Sequence, residues 1–541
     1  MTKLSALPSS NYGRVSRWLL LVVLILFLLI GGKVVNQSLD SFAKLKNGQI
    51  DLSASQAQKA LIIIKPLNLI TGHRISFLAA WQAGLDLETL LPDWIKYLSY
   101  AQTSQNQAED AVLSAKLISQ TCADIDQLSL YLPRIFWAQK LIPKPVLAVF
   151  DYWQNHQAEL RSLISYYLNN NHTILLIFQN SHELRASGGF MGSYALLKTK
   201  SGQIESWVVE DIYDADGQFT GFVTAPHGVK EYLSSAKGMR LPDSNWQAEF
   251  SQAAPTILQY FALGDRSNID TVITINHSVL EDLLKVTGPI YLPDYHQVIT
   301  SETAINLLEN RPGNFFAGSG LKKHLISQLI TQIKLLFEDF GTEEWTTFFE
   351  LMPKFISHKD IQIYSIQPDI QAHLEQLGVT GTWPWPKDAD LVGWIESNVG
   401  INKVNKYVTR TLEITLSQYQ TQITAQFHNA DSLQYVNYQR VYVPNQWQIV
   451  SVVDQNREIV DWHQELVELT DGQVVREIGF LVITPGQSQQ TVSLLFDRRN
   501  DPKTSGKEIF MPKQSGLPPL PVTLIRDDLS QTVMLESDQV F

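Results

Sequence analysis

The chain has 541 residues, a formal net charge of −12, 44% hydrophobic residues and 18% charged residues. That length exceeds what one hydrophobic core serves, so roughly two or three domains are expected, and the ordinary globular mixture excludes a disordered chain. An acidic balance with no concentrated basic surface excludes nucleic acid as a partner, and a single cysteine, Cys122, excludes an intramolecular disulfide or a cysteine-based metal cluster.

In chain order, residues 1–17 are polar, carry Lys3, Arg14 and Arg17, and read as a cytoplasmic N-terminus. Residues 18–35 hold one charge, Lys33 near the outer end. Their length is close to the roughly 20 apolar residues that a bilayer requires, so a transmembrane anchor is expected there. Positive charge before the run and little after it places the bulk of the chain outside the cell membrane, in single-pass type II orientation. No small-x-small cleavage site follows directly, which favours an uncleaved signal-anchor over a removed signal peptide.

Residues 36–170 read as a helical stalk or bundle. Ala57, Ala60, Leu61 and Ile64 recur at helical spacing, as do Leu39, Phe42 and Leu45, then Ala108, Val112, Ala115 and Ile118, then Ala158, Leu160, Leu163 and Ile164. Pro66, Pro92, Pro133, Pro143 and Pro145 are expected to divide the region into separate helices.

Residues 171–402 alternate strand-like and helix-like segments, the mark of an α/β or α+β core domain. The apolar run 174–178 reads as a strand covered on both faces. Further strands are expected at 193–197, 204–212, 269–275, 290–292, 361–366 and 391–395. Helices are expected at 253–263, 277–286, 301–310, 320–340, 344–356 and 369–377. Residues 403–541 change to β-branched, alternating runs at 407–416, 420–427, 436–443, 446–453, 474–483 and 491–496. Their spacing suits an antiparallel β-sandwich-like domain, Ig-like in broad form. The proline-rich stretch at 518–521 and the acidic tail read as loop or edge-strand material.

The candidate site residues cluster after the first core strand. Arg185 could clamp a phosphate or carboxylate through two parallel bonds, or pair with Glu183 or Asp211 to fix the loop. Gly188, Gly189 and Gly192 permit close backbone approach around an anion, or simply make a tight turn. Asp211 and Asp214, with Asp216 nearby, could hold Mg²⁺, or form a solvated acidic turn. Arg311, Lys322 and Lys323 could form a basic wall for a ligand phosphate, or a solvated helix start. Lys403 could be a ligand contact or a hinge contact. No zinc-protease, nucleophile-elbow or phosphate-loop motif is present, and the twelve histidines are scattered.

The block Gln179-Asn-Ser-His-Glu183-Leu-Arg185-Ala-Ser-Gly188-Gly189-Phe-Met-Gly192-Ser-Tyr194 resembles the bacterial domain-of-unknown-function family 4012. Further matches are Asn245-Trp246, Asp270-Thr-Val-Ile273, Thr287-Gly288-Pro289 and Asn398 with Asn402-Lys403. The resemblance takes in the anchor, the helical region and the β-rich tail, and implies a membrane-anchored cell-envelope protein with no established activity. The core is also similar to the LytR–CpsA–Psr phosphotransferases, which move glycopolymers from polyprenyl-pyrophosphate carriers to cell-wall glycan. In that likeness Arg185 matches the first arginine, Asp211 follows Glu210 where an arginine stands in those enzymes, and Arg311, Lys322 and Lys323 take the basic helical positions. Two function classes follow. One is an extracytoplasmic envelope protein that binds a glycan or an envelope partner without catalysis. The other is a phosphotransferase in which Arg185, Arg311 and a Mg²⁺ ion held by Asp211 act on a polyprenyl-linked glycopolymer, with Glu183, Gly188, Gly189, Lys322, Lys323 and Lys403 contacting the ligand.

Overall fold

A computed structural model describes residues 44, 49–70, 76–100, 107–134, 144–200, 202–234, 238–309, 320–338, 342–455, 457–459, 461–500, 508–526 and 529–541. The chain divides into two compact units, Met1–Asn169 and Asn170–Phe541. The anchor expected at residues 18–35 lies outside the described residues. Among the described residues no helix is long and apolar enough to cross a membrane.

The described part of the first unit is a run of helices, α1 (Ile50–Ile70), α2 (Ser76–Tyr100), α3 (Gln107–Tyr131) and α4 (Lys144–Asn169), each packed on the next. Ala57, Ala60, Leu61 and Ile64 form the buried seam of α1 against Leu85 of α2. The small alanines let the two backbones approach closely. Polar ties fasten the seams: Asn68 Nδ2 donates to Gln82 Oε1 at 2.9 Å, and Trp153 Nε1 of α4 donates to Asp126 of α3 at 2.8 Å. Two of the prolines do not separate helices as the sequence suggested. Pro66 lies inside α1 and Pro92 inside α2. A proline forfeits one backbone hydrogen bond, and packing along the helix outweighs that loss here.

The second unit is a mixed α/β structure with a β-rich C-terminal region. Its first sheet has five strands in the order β3 (Gln203–Asp211), β2 (Gly188–Lys200), β1 (Asn171–Arg185), β4 (Thr271–Asn276), β7 (Ile361–Ser365). Only the β1–β4 pair is parallel; the β1–β2, β2–β3 and β4–β7 pairs are antiparallel. The parallel pair needs a long crossover. That crossover carries β2 and β3, then α5 (Ile212–Asp216), α6 (Val229–Tyr232) and α7 (Phe250–Leu263). Leu175, Ile177, Tyr194 and Val272 of the sheet share a core with Phe250, Ala253, Ile257 and Phe261 of α7. After β4 come α8 (His277–Thr287), the hairpin of β5 (Ile290–Leu292) and β6 (Gln297–Ile299), α9 (Ala304–Glu309), α10 (Gly320–Glu338) and α11 (Thr342–Ser357). α10 packs on β3 and β5, and α8 packs on β1, β4 and α11. α12 (Pro368–Gln376) follows β7.

The β-rich region has a seven-stranded sheet whose centre is β13 (Gln448–Asp454), β17 (Ser488–Asp497), β11 (Gln420–Asn429), β10 (Val408–Leu416) and β19 (Leu520–Arg526). A four-stranded sheet of β15 (Trp462–Glu468), β16 (Val474–Thr484), β12 (Tyr435–Pro444) and β9 (Gly393–Asn398) shares its core. Ile414, Ile423, Phe427, Ile478, Phe480, Val492 and Phe496 fill that core. β9 precedes the expected boundary at 402/403, so the four-stranded sheet draws on both sides of it. β8 (Ala389–Leu391) likewise pairs in parallel with β18 (Glu508–Met511).

A buried polar network stitches these parts together. Arg410 Nε donates to Glu396 Oε1 at 2.6 Å, and its other nitrogens reach the Val408 carbonyl, Asn405 and Tyr435. Asn437 and Tyr435 donate to the second Glu396 oxygen. Gln514 Nε2 donates to the backbone oxygens of Arg185 and Glu396, and Asn405 Nδ2 donates to that of Ser181 at 2.7 Å.

Candidate functional site

The Gln179–Tyr194 block is arranged by two irregularities in the β1–β2 ladder. β1 and β2 pair up to Phe178 opposite Ser193, the register then skips Gly192 so that Gln179 lies opposite Met191, and after Asn180 opposite Phe190 pairing resumes only at Leu184 opposite Gly189. Ser181, His182 and Glu183 therefore have no place in the ladder and bulge from it. Bulges of this kind re-aim side chains beside sites. Ser181 N–H donates to His277 Nδ1 at 3.2 Å, and the His182 and His277 rings meet edge-on at 4.3 Å, so the start of α8 holds the bulge in place.

The glycines serve this geometry. Gly189 has no room for a Cβ, which would fall on the Asn180–Ser181 backbone. Gly188 has φ +144°, and its side-chain position is taken by Gln179. Both lie within packed protein, not around an open anion cradle.

Arg185 is buried, 2% exposed. Its Nη2 donates to Glu183 at 3.1 Å and to Asp243 at 3.3 Å, its Nε reaches Asp243 at 3.4 Å, and its Nη1 donates to the Asn398 carbonyl at 2.9 Å. The guanidinium carbon sits 5.5 Å from the Phe190 ring centre. The guanidinium is thus committed to the protein itself. Burial lifts the Asp243 carboxyl above its ordinary value, with Arg185 pulling the other way. The neighbouring Tyr213 hydroxyl is pushed up to about 12, by burial first and then by the charges of Glu183, Asp243 and Asp211. Two carboxylates paired with one guanidinium make this corner net negative, which disfavours a phosphate.

Asp211 caps α5. It accepts from Tyr213 N–H at 3.1 Å, while Asp214 accepts from Asp211 N–H at 3.0 Å, a reciprocal capping box. Asp216 is held by Arg240 and by Leu241 N–H. The capping roles of Asp211 and Asp214 aim them at the backbone, and the pair does not fit a Mg²⁺ ligand set. Among the described residues no group of three or more His, Cys, Asp or Glu is gathered for a metal. Glu210 pairs with Arg266 at 2.9 Å and with Tyr194. Arg311 lies outside the described residues. Lys322 and Lys323 stand on the first turn of α10. Arg185, Asp211 and Asp214 are therefore not brought to one cleft.

What the structure does form at this end of the sheet is a cavity of about 350 Å³. Its floor is the ends of β1, β2 and β4, with Phe178, Phe190 and Ile275. Its walls are Val279, Leu280 and Leu283 of α8, Ile305 of α9, and Ile326, Leu329, Ile330 and Ile333 of α10. The α10 residues follow the i, i+3, i+4, i+7 spacing that puts one apolar face on the cavity. Polar groups are confined to one end: Gln179, Asn180, Glu183, Ser193, Asn276, His277 and Lys403. Glu183, Gly192 and Lys403 are thus the candidate residues that line it. Gln179, Ser193 and Asn276 were not singled out from sequence. Their signal was available, since Gln179 and Asn276 each close an apolar strand, at the carboxyl ends where α/β sheets carry their sites. The size is at the lower end of the range for small-molecule pockets, about 300–1,000 Å³.

Residues 169–312 match the profile of a family described as a protein of unknown function, DUF4012. No curated protein matches the chain. Among solved structures, one similar chain is a Legionella pneumophila protein described as a candidate nutrient-binding protein. It is 5% identical over 25% of this chain, with a TM-score of 0.18, and the match spans 54% of its length, about half. A likeness at that level carries no argument about fold or ligand.

Proposed function

Taking the chain as the bacterial DUF4012 family member that residues 169–312 mark it to be, we propose that it is a membrane-anchored, extracytoplasmic envelope protein that binds an amphiphilic ligand without catalysis. The ligand's aliphatic part lies between the sheet and helices α8 and α10, and its head lies at the Glu183–Lys403 end. The observation that carries this reading is the apolar cavity with polar groups at one end only. Burying an aliphatic chain there is favourable in proportion to the apolar area removed from water.

The phosphotransferase reading draws on the same cavity, since a polyprenyl chain would suit it. Against it stand the engagement of Arg185 by Glu183 and Asp243, and the capping role of Asp211. A pyrophosphate would meet a net negative corner there.

The test uses the full chain in lipid nanodiscs and a photoreactive aliphatic probe with an uncharged head. Labelling should fall on peptides of α8 and α10, and Leu329→Asp should abolish it while leaving the circular dichroism spectrum unchanged. Labelling spread evenly over the chain would refute cavity binding. The topology has its own check, because protease added to intact protoplasts should remove residues beyond the anchor.

A further inference from the structure

The volume of the cavity sets how much aliphatic chain it can hold. That volume is about 350 Å³. An apolar protein cavity of about 150 Å³, lined by leucine, isoleucine and phenylalanine, stays dry and takes the six carbons of one benzene. The lining here is of the same kind, with Phe178, Phe190, Leu280, Leu283, Leu329 and Ile333 among its walls. At that ratio the space holds about fourteen carbons. Protein interiors pack as closely as organic crystals, so the surrounding side chains leave little slack to extend the figure.

The length of the lining agrees with its volume. The face of α10 on the cavity runs from Ile326 to Ile333. At about 1.5 Å per residue that is roughly 10 Å of helix. A chain of a bilayer lipid crosses one leaflet, half of a hydrocarbon core of about 30 Å. The apolar wall is shorter than that, and two such chains do not enter it together. With the head at the Glu183–Lys403 end, each carbon beyond the capacity pushes the ligand past its apolar walls into water. Every methylene so exposed costs about fourfold in affinity. The lining suits a polyprenyl chain, but the volume does not hold one. At five carbons per isoprene unit, such a chain fills the space with about three units.

We propose that the cavity gauges chain length, admitting a single-chain amphiphile with a tail of about fourteen carbons or fewer and excluding two-chain lipids and polyprenyl carriers. The inference rests on the reading of the cavity as an amphiphile site and names its ligand class.

The test uses photoreactive aliphatic probes that share one uncharged head and have tails of eight to eighteen carbons. Each is placed at the same mole fraction in the bilayer of nanodiscs that carry the full chain. A tail that fits passes from one apolar medium to another, so labelling of α8 and α10 should be level up to about fourteen carbons. At eighteen carbons it should be at least about tenfold lower, since each exposed methylene costs about fourfold. A photoreactive polyprenyl alcohol and a photoreactive two-chain glycerolipid should label these helices no more than the rest of the chain. Ile330→Phe adds bulk inside the cavity and should move the break to shorter tails. Leu329→Ala removes bulk and should move it to longer ones. Labelling at eighteen carbons that equals labelling at fourteen, preferential labelling of α8 and α10 by the polyprenyl alcohol, or a break that stays in place in both variants overturns the gauge and leaves the amphiphile reading standing. Absence of labelling on α8 and α10 by every tail overturns both.

Discussion

Arg185 decides between two accounts of the Glu-Leu-Arg segment. As a ligand clamp it could be removed with little effect on folding. As the centre of a buried ion-pair group it cannot, because Glu183 and Asp243 would keep their charge without a partner. Removing one member of a buried pair costs about 3–5 kcal/mol. Arg185→Ala should therefore lower the urea midpoint by an amount equivalent to about 3–5 kcal/mol, and a variant that unfolds like the parent would restore the clamp. The residues that matter here were legible from the glycine and charge pattern, but the directions of their side chains were not. The three-residue bulge at 181–183 sets which of Glu183 and Arg185 reaches the cavity, and nothing local in the sequence encodes a bulge of that length. The acidic run after β3 misled for a related reason, since Asp211 and Asp214 stand three apart, the spacing of a helix cap as much as of a metal pair.

At the scale of elements, the cavity depends on α8 being held as one wall. Asp282 of α8 is buried and paired with Lys285 on its own helix at 2.6 Å and with Lys354 on α11. Burial raises the carboxyl, and the two lysines outweigh burial, so its value lies below the ordinary 3.8. A depressed carboxyl stabilises the fold above its unfolded value and loses that contribution as pH falls through the folded one. Hydrogen exchange at α8 and α11 amides, adjusted for the intrinsic effect of pH, should therefore rise below about pH 4. In Asp282→Asn the same amides should exchange faster at neutral pH and show no such step. The helices themselves were readable because their apolar faces repeat at helical period, as in α10. Strands with alternating patterns, such as β10 and β11, were equally readable. β9 was caught only in part, because Glu396, Ser397 and Asn398 are buried and polar, satisfied by partners far along the chain.

At the scale of the whole molecule, the composition change near residue 403 does not coincide with a break in the packing. Residues 403–541 taken alone would lack β9, which pairs with β12 from Asn398 opposite Asn437 to Gly393 opposite Tyr442. They would also lack β8, the partner of β18, and Glu396, the carboxylate that Arg410 needs inside the protein. The exposed side of β12 would be a long unpaired edge, an invitation to aggregation. Arg410, 8% exposed, would be left as a buried charge without its counter-ion. A fragment of residues 403–541 should consequently be insoluble or lack dispersed amide resonances. A fragment of residues 170–541 should fold and unfold in one cooperative transition, since the polar network from Ser181 through Asn405, Arg410 and Glu396 to Gln514 crosses the 402/403 boundary. Dispersed resonances from the shorter fragment would mean that the β-rich region carries its own complete core. The cavity would then belong to a separable domain, and ligand binding should survive in residues 171–402 alone. Under the packing described here, binding and folding are lost together when the chain is divided at 402/403.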